Sequence, residues 1–459
     1  MRIIFRIATL VALGWIAQPM AASKHDRWFE ARTPNFVIVS NAGEKRTIQT
    51  AKLFEQIRSV FRQSIPMVSK LPSPKITVIA VKNDDDMRVL MPEDWTRGHV
   101  HHAGYFFYRM DQYYAVVELD AGGDNPYSTI YHEYYHSLTL PYFPGLPLWV
   151  AEGLAEFYGN THVDGNEAGI GYDNPDLIEQ LRSNSLIPLD RLFKVDRKSP
   201  YYNENNKTSM FYAESWALVH YLILGDKEAH RQMFKDYLTA LSEGATQDEA
   251  SAKAFGSVHK LENSLQTYIR GFSFYYLRTP VTEKVSDSDI TVKEIPEAEA
   301  EAYEGGFLVT RGRIQDGRPL LEEALREDPK LALAYQNLGV AESLNGQRAE
   351  ALASVSKAID LDPKNGIARY LRAYLAFQNG TAITDNIGLE EDLRVTIEQN
   401  PDFAPAYSLL ALRLAANPED STEALKMAQK AVSLEPGNSS FQLALAQVLA
   451  RMRKLDDAE

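Results

Sequence analysis

The chain has 459 residues, no cysteine, and 62 Asp+Glu against 48 Lys+Arg, for a formal net charge of -14. That length accommodates two or three domains with proper cores. The acidic balance, with no Lys/Arg cluster, argues against nucleic-acid and anionic-membrane partners, and the lack of cysteine excludes disulfide staples and a thioether lipid anchor.

Residues 1–23 have the pattern of a signal peptide. Arg2 and Arg6 form a basic start, Ile7–Ala17 is an apolar core too short to span a bilayer comfortably, and Met20-Ala21-Ala22-Ser23 supplies small residues for cleavage. No later apolar run has membrane-spanning length. An exported chain, periplasmic or extracellular, with no stable span in its mature form is the expectation.

Phe36–Ser40 and Ile76–Val81 are β-rich runs, and Ile48–Phe61 between them carries apolar residues at helical spacing. Asn83-Asp84-Asp85-Asp86 lacks the alternating ligands of a calcium loop and is expected to be a capped turn. His99, His101 and His102 are poorly spaced for metal binding on a helix or strand and are assigned to a polar loop. Gly104–Tyr108 and Tyr113–Leu119 then flank Arg109-Met110-Asp111-Gln112 as a predicted β-hairpin.

Tyr131 to Tyr158, YHEYYHSLTLPYFPGLPLWVAEGLAEFY, carries the chemistry. Asp124-Asn125-Pro126 is a helix-start signal ahead of it. Helical spacing puts His132 and His136 on one face, where two imidazoles can hold one divalent metal, with Glu133 beside them. A catalytic zinc takes three protein ligands, so a third must come from elsewhere. After the Pro- and Gly-rich turn, Trp149–Tyr158 offers Glu152 and Glu156 on one helix face, and periodicity leaves both open.

These two segments resemble the gluzincins, zinc metallopeptidases in which H-E-x-x-H is followed by a downstream glutamate ligand. Trp149-Val150-Ala151-Glu152-Gly153-Leu154-Ala155 is similar to the W-L-x-E-G-x-A pattern of the aminopeptidase branch, and this resemblance assigns Glu152 as third ligand beside His132 and His136. It further implies Zn2+ as cofactor and Glu133 as the catalytic base that takes the proton of the zinc-bound water and later gives it to the leaving amine. Glu156 would support the ligands or face solvent. By the same resemblance, residues 113–119 would be an exposed sheet edge along which a peptide adds itself. No G-x-M-E-N motif for a terminal amine occurs in residues 24–120, which tilts the expectation towards an endopeptidase.

Tyr158–Pro188 is rich in Gly, Asn and Asp and is expected to be loop. Ser209–Leu224 is a predicted helix with Tyr212, Trp216, Val219 and Ile223 along one stripe. Gluzincin-like domains ahead of repeat arrays carry a similar Y-x-x-S-W segment, so Tyr212 is a catalytic candidate, a donor to the oxyanion, with core packing as the other reading. His220 is expected to be a hydrogen-bonded core histidine. Glu228–Tyr276 continues as helices.

From Thr279 to Ile295 the composition turns to that of a connector. Beyond it, Asp328-Pro329, Asp362-Pro363, Asn400-Pro401 and Glu435-Pro436 close helical segments at offsets of about 34 to 38 residues, the tetratricopeptide (TPR) period. Small residues such as Gly339, Ala351 and Ala358 allow close helix pairing, and Gly380–Gly388 is an insertion. The last unit stops where its second helix should start, an expectation of further chain or a docking partner.

The expected organisation is therefore a signal peptide (1–23), an α+β zincin/gluzincin-like peptidase domain (24–278), a linker (279–295) and a C-terminal all-α TPR solenoid (296–459). The expected function is an exported zinc-dependent peptidase acting on a peptide or protein substrate, its repeats recruiting substrate or a protein partner. The alternative is a non-catalytic TPR scaffold with a degenerate peptidase-like domain, and hydrolysis of a non-peptide bond also stays open.

Overall fold

A computed structural model of the chain describes residues 27–65, 75–95, 103–109, 112–120, 127–139, 142–203, 205–225, 227–282, 285–378 and 387–452. The expected signal peptide (1–23), His99, His101 and His102, the expected helix start Asp124-Asn125-Pro126, residues 380–386 of the expected insertion and residues 453–459 lie outside the described residues.

The strands are β1 (Trp28–Arg32), β2 (Phe36–Ser40), β3 (Ile76–Val81), β4 (Gly104–Arg109), β5 (Gln112–Glu118), β6 (His162–Asp164), β7 (Glu167–Ile170), β8 (Leu277–Pro280) and β9 (Thr291–Ile295). Six form a mixed sheet in the order β4-β5-β3-β2-β1-β9, and β6-β7-β8 form a second, antiparallel one. The period-2 rule explains how the large sheet is buried on both sides. Phe36, Ile38, Ile76, Val78, Ala115 and Val117 point into one core, and Val37, Val39, Ile79, Val81, Tyr114 and Val116 into the other.

Helices of the N-terminal part are α1 (Glu44–Ser64), α2 (Asp84–Leu90), α3 (Ser128–Thr139), α4 (Leu148–Gly159), α5 (Pro175–Ser183), α6 (Leu189–Leu192), α7 (Pro200–Asn203), α8 (Asn205–His220), α9 (Lys227–Ser242), α10 (Gln247–Phe255) and α11 (Val258–Ile269). The first core joins the sheet to α1, α3, α4 and α8, with Phe54, Phe61, Tyr134, Trp149 and Trp216 fully buried. Each such side chain contributes about 1.5–3 kcal/mol. The acidic run is a helix start: the Asn83 side chain accepts from the Asp85 and Asp86 amides, and three acids sit in the first turn of α2, where the helix dipole favours them.

The C-terminal part is a tetratricopeptide array of helix pairs: α12 (Glu297–Thr310) with α13 (Ile314–Glu327), α14 (Ala332–Leu344) with α15 (Arg348–Leu361), α16 (Gly366–Gln378) with α17 (Ile387–Gln399), and α18 (Ala404–Leu414) with α19 (Ser421–Leu434), followed by α20 (Ser439–Arg451). Glycine sets the closeness of a pair. A Cβ at Gly339 would stand 2.5 Å from Val355 Cγ2 and 3.2 Å from the Ala351 carbonyl.

The first repeat is part of the second core. Ala300, Tyr303, Phe307 and Leu308 of α12 pack with α2 against the sheet, and the Phe307 ring meets those of Phe107 at 5.6 Å and Tyr114 at 6.1 Å. A buried carboxylate fixes the join: Arg32 donates to both oxygens of Glu30 at 2.7 Å, and the Tyr303 hydroxyl donates at 2.5 Å to Oε2, the oxygen it shares with Arg32 Nη2. Burial pushes the Glu30 carboxyl up, but its bonds to Arg32 and Tyr303 outweigh this and hold it below the usual range.

Four expectations are corrected. The segment 279–295 is not a free connector: Thr279 and Pro280 belong to β8, and β9 pairs antiparallel with β1, so the first sheet is completed by residues beyond 278. Strand β5, expected at the sheet edge, lies between β3 and β4; its hairpin partner β4 is the margin. Tyr158–Pro188 is not simply loop, because α4 runs to Gly159 and β6, β7 and α5 follow, β7 being recruited by the distant β8. Finally, the helix predicted to Leu224 changes at His220 into a π-helical turn over Tyr221–Gly225.

Gly153 records a close approach of α4 to α8: an added Cβ would lie 2.4 Å from the Ser215 carbonyl of α8 and 2.7 Å from Val219 Cγ2. Since backbone cannot yield cheaply, Gly153→Ala should lower unfolding free energy by about 1–3 kcal/mol in urea titration. Buried Glu214 accepts from the Ile187 amide at 2.6 Å, while its other oxygen has no partner. Burial pushes its carboxyl up to about 8, against the Ile187 bond and aided by Glu262. Its folded value exceeds the ordinary 4.5, so its contribution to stability is present below about 4.5 and is lost as pH rises towards about 8. Glu214→Gln should therefore flatten the decline in urea midpoint over that window.

Candidate metal centre

Helix α3 divides its faces by the 3.6-residue period. Tyr131, Tyr134 and Leu138 enter the core, with Tyr134 against Phe36 at 5.9 Å and Phe61 at 5.9 Å, and Tyr135 stacks on Tyr158 of α4 at 5.1 Å. What remains is the stripe of His132 and His136 turned towards α4. Helix α4 is anchored from behind by Trp149, which is fully buried against Phe193 and Tyr237. It approaches α3 closely at its far end, where a Cβ on Gly159 would stand 3.2 Å from His132 Cβ.

These constraints bring three donor atoms together. His136 Nε2 lies 3.1 Å from His132 Nε2 and 3.1 Å from Glu152 Oε2, and His132 Nε2 lies 3.3 Å from the same oxygen. Ligands held at about 2.0–2.1 Å in a tetrahedron stand about 3.3–3.4 Å apart, so the triangle has the size of one face of a zinc coordination shell. Among the described residues this is the one His/Asp/Glu group so arranged. Two imidazole lone pairs and a carboxylate converging this closely repel unless a cation or protons lie between them. The donor set fits zinc.

The surroundings orient the donors. His132 Nδ1 is 3.3 Å from Glu156 Oε1, so Glu156 holds the ring from its far side with Nε2 directed at the triangle. The Tyr202 hydroxyl donates to Glu152 Oε1 at 3.3 Å, leaving Oε2 for the triangle. The rings of Tyr202 and Tyr212 are 6.3 Å apart, and Tyr212 is 6.0 Å from the His132 ring. Burial of the Tyr212 phenol, with Glu152, Tyr202 and Glu133 near it, pushes its pKa far up and keeps it a proton donor. Glu133 is half-buried, and its charge acts on both His132 and Tyr212.

Without metal, protons take the role of the cation. Burial pushes the Glu152 carboxyl up, but hydrogen bonds from His132 and His136 prevail and bring it to about 2. Burial pushes His132 down, yet Glu156 and Glu152 raise it well above its ordinary value. His220 stands apart from this site, with Nδ1 2.7 Å from the Tyr268 hydroxyl and Nε2 2.9 Å from the Gly171 carbonyl; burial lowers it to about 4.

The sequence singled out His132, Glu133, His136, Glu152 and Tyr212, and the structure brings all five to one locality. It adds Glu156, left open between support and solvent, and Tyr202, which the sequence did not reveal. Tyr202 lies on the four-residue helix α7, too short for any periodicity to mark a functional side chain.

Comparison with known proteins gives two family matches. Residues 127–247 match a family described as a protein of unknown function (DUF1570), and residues 345–382 match a tetratricopeptide repeat. Among curated proteins, TPR repeat-containing protein PA4667 of Pseudomonas aeruginosa is 28% identical over 161 residues, 35% of this chain and 27% of that protein. Cellulose synthase operon protein C of Escherichia coli K12 is 32% identical over 117 residues, 24% of this chain and 10% of that protein. The matched region thus spans less than a third of either relative. Solved structures similar to the chain include MamA 41-end from Desulfovibrio magneticus RS-1, at 20% identity and TM-score 0.31 over 36% of this chain and 90% of that one. YrrB, titled a TPR protein with an unusual peptide-binding site, gives 19% identity and TM-score 0.30 over 35% and 80%. Among the described residues no helix is long and apolar enough to cross a membrane.

The raised His132 value depends on Glu156, the largest contribution opposing burial. In metal-free protein Glu156→Gln should bring the His132 imidazole titration down, read by NMR of the ring protons. Because its folded value is raised, His132 adds stability that is fully present below its ordinary 6.5 and is lost as pH rises through the folded value. The variant should lose part of that low-pH stabilisation.

Proposed function

We propose that this chain is an exported zinc-dependent peptidase whose tetratricopeptide array contacts protein. The observation that carries the reading is the triangle of His132 Nε2, His136 Nε2 and Glu152 Oε2, with sides of 3.1, 3.1 and 3.3 Å. Each residue then has a task. His132, His136 and Glu152 hold the metal, Glu156 fixes the tautomer of His132, and Tyr202 restrains Glu152. When bound, zinc supplies Lewis acidity that acidifies water and polarises a carbonyl. Glu133 accepts the proton of the attacking water and passes it to the departing amine. Tyr212 donates its phenolic hydrogen to the oxygen on which negative charge develops. The scissile segment is presented by β4, the margin of the sheet, whose outward N–H and C=O groups pair with an extended chain. Its start lies against α3: a Cβ on Gly104 would be 3.3 Å from Ile130 Cβ.

The second reading is a protein-binding scaffold that keeps the metal ligands but cleaves nothing. The comparisons support this one more directly, because a tetratricopeptide repeat is matched over 345–382, one curated relative is named for its TPR repeats, and the family matched over 127–247 carries no activity in its description. Both readings share the array as a surface for protein partners.

Metal analysis and a broad peptide-library assay on the mature chain and on Glu133→Gln separate them. One equivalent of zinc in both proteins, with cleavage reduced about 10²–10⁴-fold in the variant, is the expected outcome. Zinc in both and cleavage in neither selects the scaffold. Absence of zinc from the wild-type chain rejects the metal centre itself.

A further inference from the structure

Among the described residues the array touches the N-terminal part at three separated places. Helix α12 lies on the sheet face opposite the one that carries α3 and α4. In the next repeats, Gln112 at the start of β5 donates to Asn337 of α14 at 3.1 Å, and Arg109 at the end of β4 lines a small cavity with Val340 of α14 and Leu371, Tyr374 and Leu375 of α16. In the fourth repeat, the carbonyl of Leu434, at the end of α19, accepts a 2.6 Å hydrogen bond from the Tyr142 hydroxyl. Tyr142 stands in the turn joining the two helices that carry the metal-site donors. A carbonyl in the last turn of a helix lacks an intrahelical donor, so this bond satisfies a group that otherwise needs water.

The array therefore starts on one face of the sheet, passes the end of the margin strand and returns to the chain beside α3 on the other face. Strand β4 is bracketed between these attachments. The two sheet margins also differ: β9 carries Lys293 and Glu294, which discourage strand addition, whereas β4 reads Gly104-Tyr105-Phe106-Phe107-Tyr108-Arg109 with one charge at its end.

We infer that the repeat array forms the outer wall of the cleft beside β4, latched at Tyr142–Leu434, and that this wall admits extended polypeptide while excluding folded protein surfaces. The inference names a substrate class for the peptidase reading and rests on it. An added strand needs only the spacing of one sheet neighbour, about 4.7–4.9 Å, whereas a folded surface needs the array to move away.

The absence of cysteine permits a clean test on the full chain. Tyr142→Cys combined with Glu435→Cys places two thiols at the latch, and a tyrosine's length between backbones calls for a short bis-maleimide, since a disulfide is too short. Linked and unlinked protein are compared on disulfide-intact and on reduced, alkylated ribonuclease A, one sequence in two states. Near-complete linking is expected, with reduced substrate cut at the unlinked rate and at least about tenfold faster than intact substrate. Poor linking, loss of cleavage on linking, or equal cleavage of both substrates overturns the wall. If even unlinked wild-type chain cuts neither, the peptidase reading fails separately. The wall is then judged by anisotropy of the two fluorescein-labelled substrates on linked chain: retained preference for the reduced form upholds it, and equal binding rejects it.

Discussion

Three lone-pair donors forced to within 3.1–3.3 Å of one another are the constraint around which the N-terminal part is arranged. Such a cluster is unfavourable in isolation, and here it is imposed by packing that has little to do with polarity. The aromatic residues of α3 fix its rotation, Trp149 fixes the depth of α4, and Gly153 and Gly159 let α4 approach α8 and α3 more closely than any side chain permits. The apolar core does the positioning, and Glu156 and Tyr202 set the final orientation of His132 and Glu152.

Legibility followed the range of the interaction. His132 and His136 are one helical turn apart and the repeats recur at a fixed period, so both were readable from local spacing, whereas Glu152 was set apart from Glu156 only by the resemblance of its segment to a W-L-x-E-G-x-A pattern. The glycine after Glu152 now has a physical reason, because the Ser215 carbonyl occupies the space of its missing Cβ. The strands at Phe36–Ser40 and Ile76–Val81 were readable as β-rich runs, but their largely apolar sequences hid that Val37 and Val39 face one core and Phe36 and Ile38 the other. Strand order was not readable. A hairpin signal does not say which of its strands meets β3, and β5, not β4, does so. Tyr202 and the β1–β9 pairing depend on partners distant in sequence, and no local pattern carries that information.

The boundary between the two halves shows why composition misleads about domains. Thr279–Ile295 has the Ser, Thr, Asp and Glu content of a connector, yet its last residues form a margin strand, and the next helix delivers Tyr303 and Phe307 to the sheet. Polar content there reflects a strand with one open margin. The Glu30–Arg32–Tyr303 group makes the join specific, since separating α12 from β1 would leave a buried carboxylate short of a partner.

The pairing of β1 with β9 also bears on how the molecule is made. Residues 28–32 are synthesised long before their partner, which exists only after residue 295 has been produced, so over that interval β1 has one edge uncovered. Closing so long a stretch is slow in entropic terms, and a nascent chain halted near 278 presents an unguarded ribbon to its neighbours. The N-terminal half is therefore a complete sheet only when it extends through β9 and the α12 helix that packs on it.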